Sequence, residues 1–139
     1  MAAVVRELRE TVLNSRVSNV YQLDAKTLLF KLRKRDSPVS RLLLEAGQRL
    51  HLTSYVTEKP KVPPAFCMAL RKYLRNGWLV NVEQHGFERV VAFSFKTKAG
   101  MVRLVLELFG VGNIIFVDEK GEILHALSYK RMRDRNILR

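Results

Sequence analysis

The chain holds a single cysteine, Cys67, among its 139 residues, so no disulfide can form within it. That count suits a reducing, cytosolic setting. Cys67 falls inside an apolar helical pattern, where a buried thiol is expected rather than a nucleophile. No apolar run approaches the roughly 18–20 residues of a membrane span. Charges in Met1 to Glu10 occupy the place where a signal peptide needs its apolar core. The expectation is a soluble cytoplasmic protein with no membrane partner. His51, His85 and His125 stand far apart and have no partner cysteines, which argues against zinc. There is no Walker-type phosphate loop. Gly110-Val111-Gly112 begins like a dinucleotide fingerprint but joins two expected strands without a following helix. No nucleophile elbow is present. The sequence thus gives no positive support for a catalytic group, a metal or a cofactor.

Acidic residues are also scarce. Lys and Arg number 25 against 13 Asp and Glu, a formal net charge of +12. Such an excess favours polyanionic partners, because neutralising phosphates releases counterions. With 47% hydrophobic residues, the length of one domain is enough to bury a core.

Period and punctuation suggest the elements. Ala3 to Leu13 reads as a helix with Val5, Leu8 and Val12 on one face, stopped by Asn14-Ser15. Arg16 to Leu23 and Thr27 to Arg35 read as a hairpin around Asp24-Ala25. In its second strand Leu28, Phe30 and Leu32 alternate with Leu29, Lys31, Arg33 and Arg35. That basic row suits a phosphate backbone, and it equally suits the solvent face of an edge strand, where cations discourage aggregation. Arg41 to Glu45 and Arg49 to Ser54 read as two short strands. Glu58 to Pro64 is a proline-containing loop leading to the clearest helix, Ala65 to Arg75. There Phe66, Ala69, Leu70, Tyr73 and Leu74 form the apolar stripe, and Arg71, Lys72 and Arg75 point away from it. Cations in that last turn also complement the helix dipole.

Five further strands are expected at Trp78 to Glu83, Arg89 to Lys96, Met101 to Phe109, Asn113 to Asp118 and Glu122 to Leu127, separated by glycine-bearing turns. No internal repeat is apparent. The pattern predicts an α+β domain, mainly an antiparallel β-sandwich or partial barrel with flanking helices. The domain is expected over residues 1–128. A basic segment over 129–139, with Arg131, Arg133 and Arg135, would lead to further domains.

Within this frame Glu88-Arg89 sets an acid–arginine pair after the glycine turn and at the start of an apolar strand. Arginine can bond guanine or phosphate through two donors and can stack on an unpaired base. The carboxylate can accept from base amino groups or orient the guanidinium. A local structural ion pair is the plain alternative.

Several segments, in order, carry a family resemblance. They are Val17-Ser18-Asn19-Val20-Tyr21-Gln22, Leu43-Leu44-Glu45-Ala46-Gly47-Gln48-Arg49-Leu50-His51 and Pro63-Pro64-Ala65-Phe66. Gln84-His85-Gly86-Phe87-Glu88-Arg89 and Leu106-Glu107-Leu108-Phe109-Gly110-Val111-Gly112-Asn113 continue them. Together they resemble the NFACT-N domain of the nuclear export mediator factor and fibronectin-binding protein A family, in its archaeal type. The resemblance implies a fold similar to the N-terminal domain of formamidopyrimidine-DNA glycosylases. It also implies a non-enzymatic, RNA-binding role in ribosome-associated quality control. The implied partners are the large ribosomal subunit, stalled peptidyl-tRNA and tRNA recruited for template-free peptide tailing.

The family's pair, usually Asp-Arg, aligns with Glu88-Arg89 and is associated with tRNA recognition, with Gln84 alongside. Glu88 is longer than aspartate by a methylene. Lys31, Arg33, Arg35, Arg71, Lys72, Arg75, Arg131, Arg133 and Arg135 would add diffuse phosphate contacts. Glycosylases of that fold need an N-terminal proline followed by glutamate, and Met1-Ala2-Ala3 supplies neither. A DNA-processing domain and a protein-interaction or adhesion module are the alternative readings.

Overall fold

The computed structural model describes residues 2–53, 63–84, 89–98, 100–108 and 112–127. Helix α1 (Ala2–Thr11) precedes strands β1 (Ser15–Gln22), β2 (Thr27–Arg33), β3 (Ser40–Glu45) and β4 (Arg49–Leu52). Helix α2 (Ala65–Leu74) precedes β5 (Trp78–Gln84), β6 (Val90–Thr97), β7 (Gly100–Glu107), β8 (Asn113–Val117) and β9 (Ile123–Ala126). All nine described strands join one antiparallel sheet in the order β4-β3-β2-β1-β5-β6-β7-β8-β9.

The sheet folds back on itself, so it forms the expected sandwich. Phe30 on β2 stacks on Phe95 on β6 with ring centroids 6.0 Å apart, although two strands lie between them in the sheet order. Leu42 and Leu44 meet Phe93 and Leu104 around the same interior. Inward residues recur at period two, as the alternation predicts. Gly112 closes the fold between the two layers: a Cβ there would lie 2.0 Å from the backbone nitrogen of Gly47, and its φ is +79°. Only glycine tolerates both the approach and that angle. Beside it, the Gly47 amide donates to the Glu107 carbonyl at 2.9 Å.

The expected elements form, with boundaries shifted by a residue or two. β2 ends at Arg33 rather than Arg35. Leu29 is buried although it shares parity with Lys31, because Tyr21 and Leu43 flank it in register. β6 starts at Val90, one residue after Arg89.

An internal repeat is present after all. Both halves run helix, asparagine turn, then four antiparallel strands, and the second half adds β9 as a fifth. Asn14 (φ 67°) follows α1 as Asn76 (φ 70°) follows α2, both in the left-handed region that asparagine tolerates. β1 shifts register between Val17 and Asn19, and β5 shifts between Leu79 and Asn81. The Asn14 amide donates to the Leu79 carbonyl at 2.7 Å, and the Asn76 amide donates to the Val17 carbonyl at 2.8 Å. The halves are thus related by a local two-fold, whose axis passes by the paired Arg16 and Trp78.

β1 and β5 pair only at Ser15↔Leu79 and Arg16↔Trp78 and then separate. The helices fill the opening. α1 packs on β5 and β4 and buries Val5, Leu8 and Val12; α2 packs on β1, β6 and β9 and buries Phe66, Cys67, Leu70 and Leu74. Strand carbonyls bared by the separation need donors. Arg9 of α1 donates to the Val82 carbonyl at 2.7 Å and to Asn81 Oδ1 at 2.9 Å. Arg71 of α2 donates to the Val20 carbonyl at 2.7 Å. Each helix therefore serves the strand of the other half.

Candidate nucleic-acid interface

The β5–β6 hairpin positions the residues singled out around the acid–arginine pair. Gln84 ends β5, half-buried, paired in register with Val91. Arg89 is exposed just before β6, and its carbonyl accepts the Leu108 amide at 2.7 Å. That bond fixes the backbone from which the guanidinium projects. Glu88 lies outside the described residues, as do Arg131, Arg133 and Arg135. β6 begins after Arg89, and Arg89 is open to solvent although it shares parity with the buried Val91 and Phe93.

The cations read as phosphate contacts divide by environment. Lys31 is half-buried between Asn19 and Arg41 in register. Arg33 is exposed at the end of β2, and Arg35 is exposed in the loop that follows. Lys72 is exposed on α2. Arg71 is not in open solvent: besides its bond to the Val20 carbonyl, its guanidinium lies 5.3 Å from the centre of the Tyr21 ring. Arg75 donates to Asn19 Oδ1 at 2.7 Å. These two arginines are held against β1.

Cys67 is buried, and its thiol donates to the Val20 carbonyl at 3.4 Å. Burial pushes its pKa up from the ordinary 9.0, against an opposing pull from the Arg71 charge. Such a thiol is a poor nucleophile. Among the described residues no group of three or more His, Cys, Asp and Glu is placed to hold a metal ion. No described helix is long and apolar enough to cross a membrane.

At the end of the sheet opposite Arg89 the structure gathers a second set of residues, of which sequence reasoning picked out Arg33 but missed Arg16, Trp78, Lys96 and Met101. Arg33, Arg16, Trp78, Lys96 and Met101 are successive partners in register across β2, β1, β5, β6 and β7, and all are exposed. The inward positions beside them, Leu32, Val17, Leu79, Phe95 and Val102, are buried. Beside this row lies a cleft of about 660 Å³ lined by Arg16, Arg33, Lys34, Arg35 and Trp78. The repeat places a second cleft of about 340 Å³ at the counterpart position, lined by Lys72, Arg75 and Lys98. For the residues that were missed, the signal in the sequence was the isolated Trp78 after the Asn76-Gly77 stop.

The fold and its charged ends define a duplicated, basic α+β sandwich module. The chain belongs to the NFACT family: the family described as NFACT N-terminal and middle domains matches residues 1–139. It is 39% identical over 143 residues to the archaeal Rqc2 homolog aRqcH of Methanocaldococcus jannaschii, covering 99% of this chain and 21% of that protein. It is 38% identical over 130 residues to the human ribosome quality control complex subunit NEMF, covering 94% of this chain and 12% of that protein. The chain therefore spans a minor part of the length of these relatives. Among solved structures, the N-terminal domain of fibronectin-binding protein PavA from Streptococcus pneumoniae superposes with a TM-score of 0.83 at 31% identity. That match covers 91% of this chain and 53% of the other.

Proposed function

We propose that this chain is a recognition module of a ribosome-associated quality control factor. It engages the large ribosomal subunit and tRNA, including stalled peptidyl-tRNA, and works without chemistry of its own. Its compartment is then the cytoplasm. The observation that carries this reading is the match along nearly the whole chain to proteins named as ribosome quality control subunits and Rqc2 homologs. The charge of +12 suits an RNA partner.

In this reading Arg89 and Glu88 make the specific tRNA contacts, with Gln84 beside them. Exposure of Arg89 on a backbone tied to Leu108 supports the role, since a guanidinium held from a fixed strand end loses less freedom on binding. Arg33, Arg35 and Lys72 supply attraction to phosphates that does not depend on sequence.

The test compares tRNA with duplex DNA of matched charge across a salt series, for the wild-type chain and Arg89→Ala. Loss of tRNA preference with little change in salt slope is expected. Unchanged tRNA preference in Arg89→Ala would remove the assignment.

A further inference from the structure

The row at the far end of the sheet has three properties that together select a ligand. First, it carries unbalanced charge. Arg16, Arg33, Lys34, Arg35 and Lys96 have no ion-pair partner among the described residues. Among the described residues, Asp36 is the one acid lining their cleft. Second, it exposes an aromatic ring. Trp78 is 43% exposed while Phe30, Phe93, Phe95 and Phe116 are fully buried. The Arg16 guanidinium lies 5.3 Å from the centre of the indole, which fixes the ring by cation–π attraction. Third, the row is rigid, since each member sits on a strand or at a strand end and is registered to its neighbours. At a strand spacing of about 4.8 Å, Arg33 and Lys96 lie on the order of 14 Å apart with the ring between them.

We infer that this end of the sheet is a second RNA-contact surface, on which an unpaired base stacks on Trp78 while flanking phosphates lie on Arg33 to Arg35 and on Lys96. This rests on RNA being the partner of the domain, but it concerns a different surface from Arg89. A π-face flanked by cations accepts any base and prefers a strand whose bases are free to splay out. A paired helix would offer phosphates but no base to the ring. An anionic membrane fits less well, because Lys96 separates the exposed apolar side chains Trp78 and Met101.

Trp78 is the only tryptophan, so its emission reports the site directly. The chain is titrated with a single-stranded RNA decamer, with an RNA duplex of equal phosphate count, and with phosphatidylserine vesicles. Binding of each RNA is followed in parallel by anisotropy of a label on it. Quenching by the single strand that exceeds quenching by the duplex is expected. Trp78→Ala should weaken single-strand binding about tenfold, and Trp78→Phe should recover most of that loss, because stacking needs a π-face. Joint replacement Arg33→Ala and Lys96→Ala should lower the salt slope by about two.

Unchanged emission at saturating single strand overturns the inference, as do equal quenching by the duplex, no binding of the single strand at low salt, and a response to vesicles alone. Arg89→Ala leaves the quenching in place. Loss of tRNA preference at Arg89 and loss of stacking at Trp78 are therefore separable results.

Discussion

Replacing Arg71 by alanine should damage the fold more than it damages the RNA binding proposed above. The Nε donor of Arg71 reaches the Val20 carbonyl at 2.7 Å, where β1 has parted from β5, and the guanidinium lies over Tyr21. A hydrogen bond from a charged donor contributes about 1.5–3 kcal/mol. A partly exposed cation–π contact adds about 0.5–1 kcal/mol. The Cys67 thiol also reaches that carbonyl, at 3.4 Å, so the truncation does not leave it fully bare. A net loss of about 2 kcal/mol follows, near the lower end of the hydrogen-bond range. With a slope of about 2 kcal/mol per molar urea, the unfolding midpoint falls by about 1 M. Trp78 fluorescence follows the transition. Lys72→Ala, on the exposed side of the same helix, should move the midpoint by less than about 0.3 M, since such surface changes stay within about 0.5 kcal/mol. Arg71→Lys keeps the charge but loses the planar donor, so it should recover RNA attraction while recovering little stability. A wild-type midpoint for Arg71→Ala, with RNA affinity lost as in Lys72→Ala, would refute the assignment to the seam.

Gly112→Ala should cost on the order of 3 kcal/mol or more, since the new methyl meets the Gly47 backbone in a positive-φ conformation; urea unfolding checks it, and a midpoint equal to wild type would be the contrary result. The raised pKa of Cys67 disfavours the thiolate in the folded state. Its contribution to stability is fully present below the unfolded value near 9.0 and is lost as pH rises through the folded value. Cys67→Ala should therefore flatten the alkaline fall in stability above about pH 9, seen as a smaller midpoint shift between neutral and alkaline urea titrations.

Much of the fold was legible because period two is written in the side chains themselves. Leu28, Phe30 and Leu32 point inward as their spacing predicts, and the α2 stripe of Phe66, Leu70 and Leu74 is buried. The repeat was hidden because identity survives mainly in the helix and first strand of each half. Leu8-Arg9, Asn14, Asn19-Val20 and Gln22 correspond to Leu70-Arg71, Asn76, Asn81-Val82 and Gln84. In the later strands Phe30 answers Phe93 and Leu50 answers Ile114, so turns of unequal length shift the alignment. The role of Arg71 was illegible for another reason. Its partner is a main-chain carbonyl exposed by a break in pairing, and no residue type marks such a break. The row through Trp78 depends on the short β1–β5 pairing between distant parts of the chain, which local pattern does not reveal. Arg89 and Arg33 were singled out beforehand, and the exposure of Arg89 goes with a strand that starts one residue late.

The crossed arginines make the two halves mutually dependent. α1 caps β5 and α2 caps β1, so either half alone would present an uncovered apolar helix and a leading strand with unsatisfied carbonyls. Separate αββββ and αβββββ units exchanging helices would reach the same geometry only at a concentration set by their affinity. Joining them in one polypeptide replaces that bimolecular step with an internal one. A cut between β4 and α2 would turn the stability of this domain into a property of how much protein is in the tube.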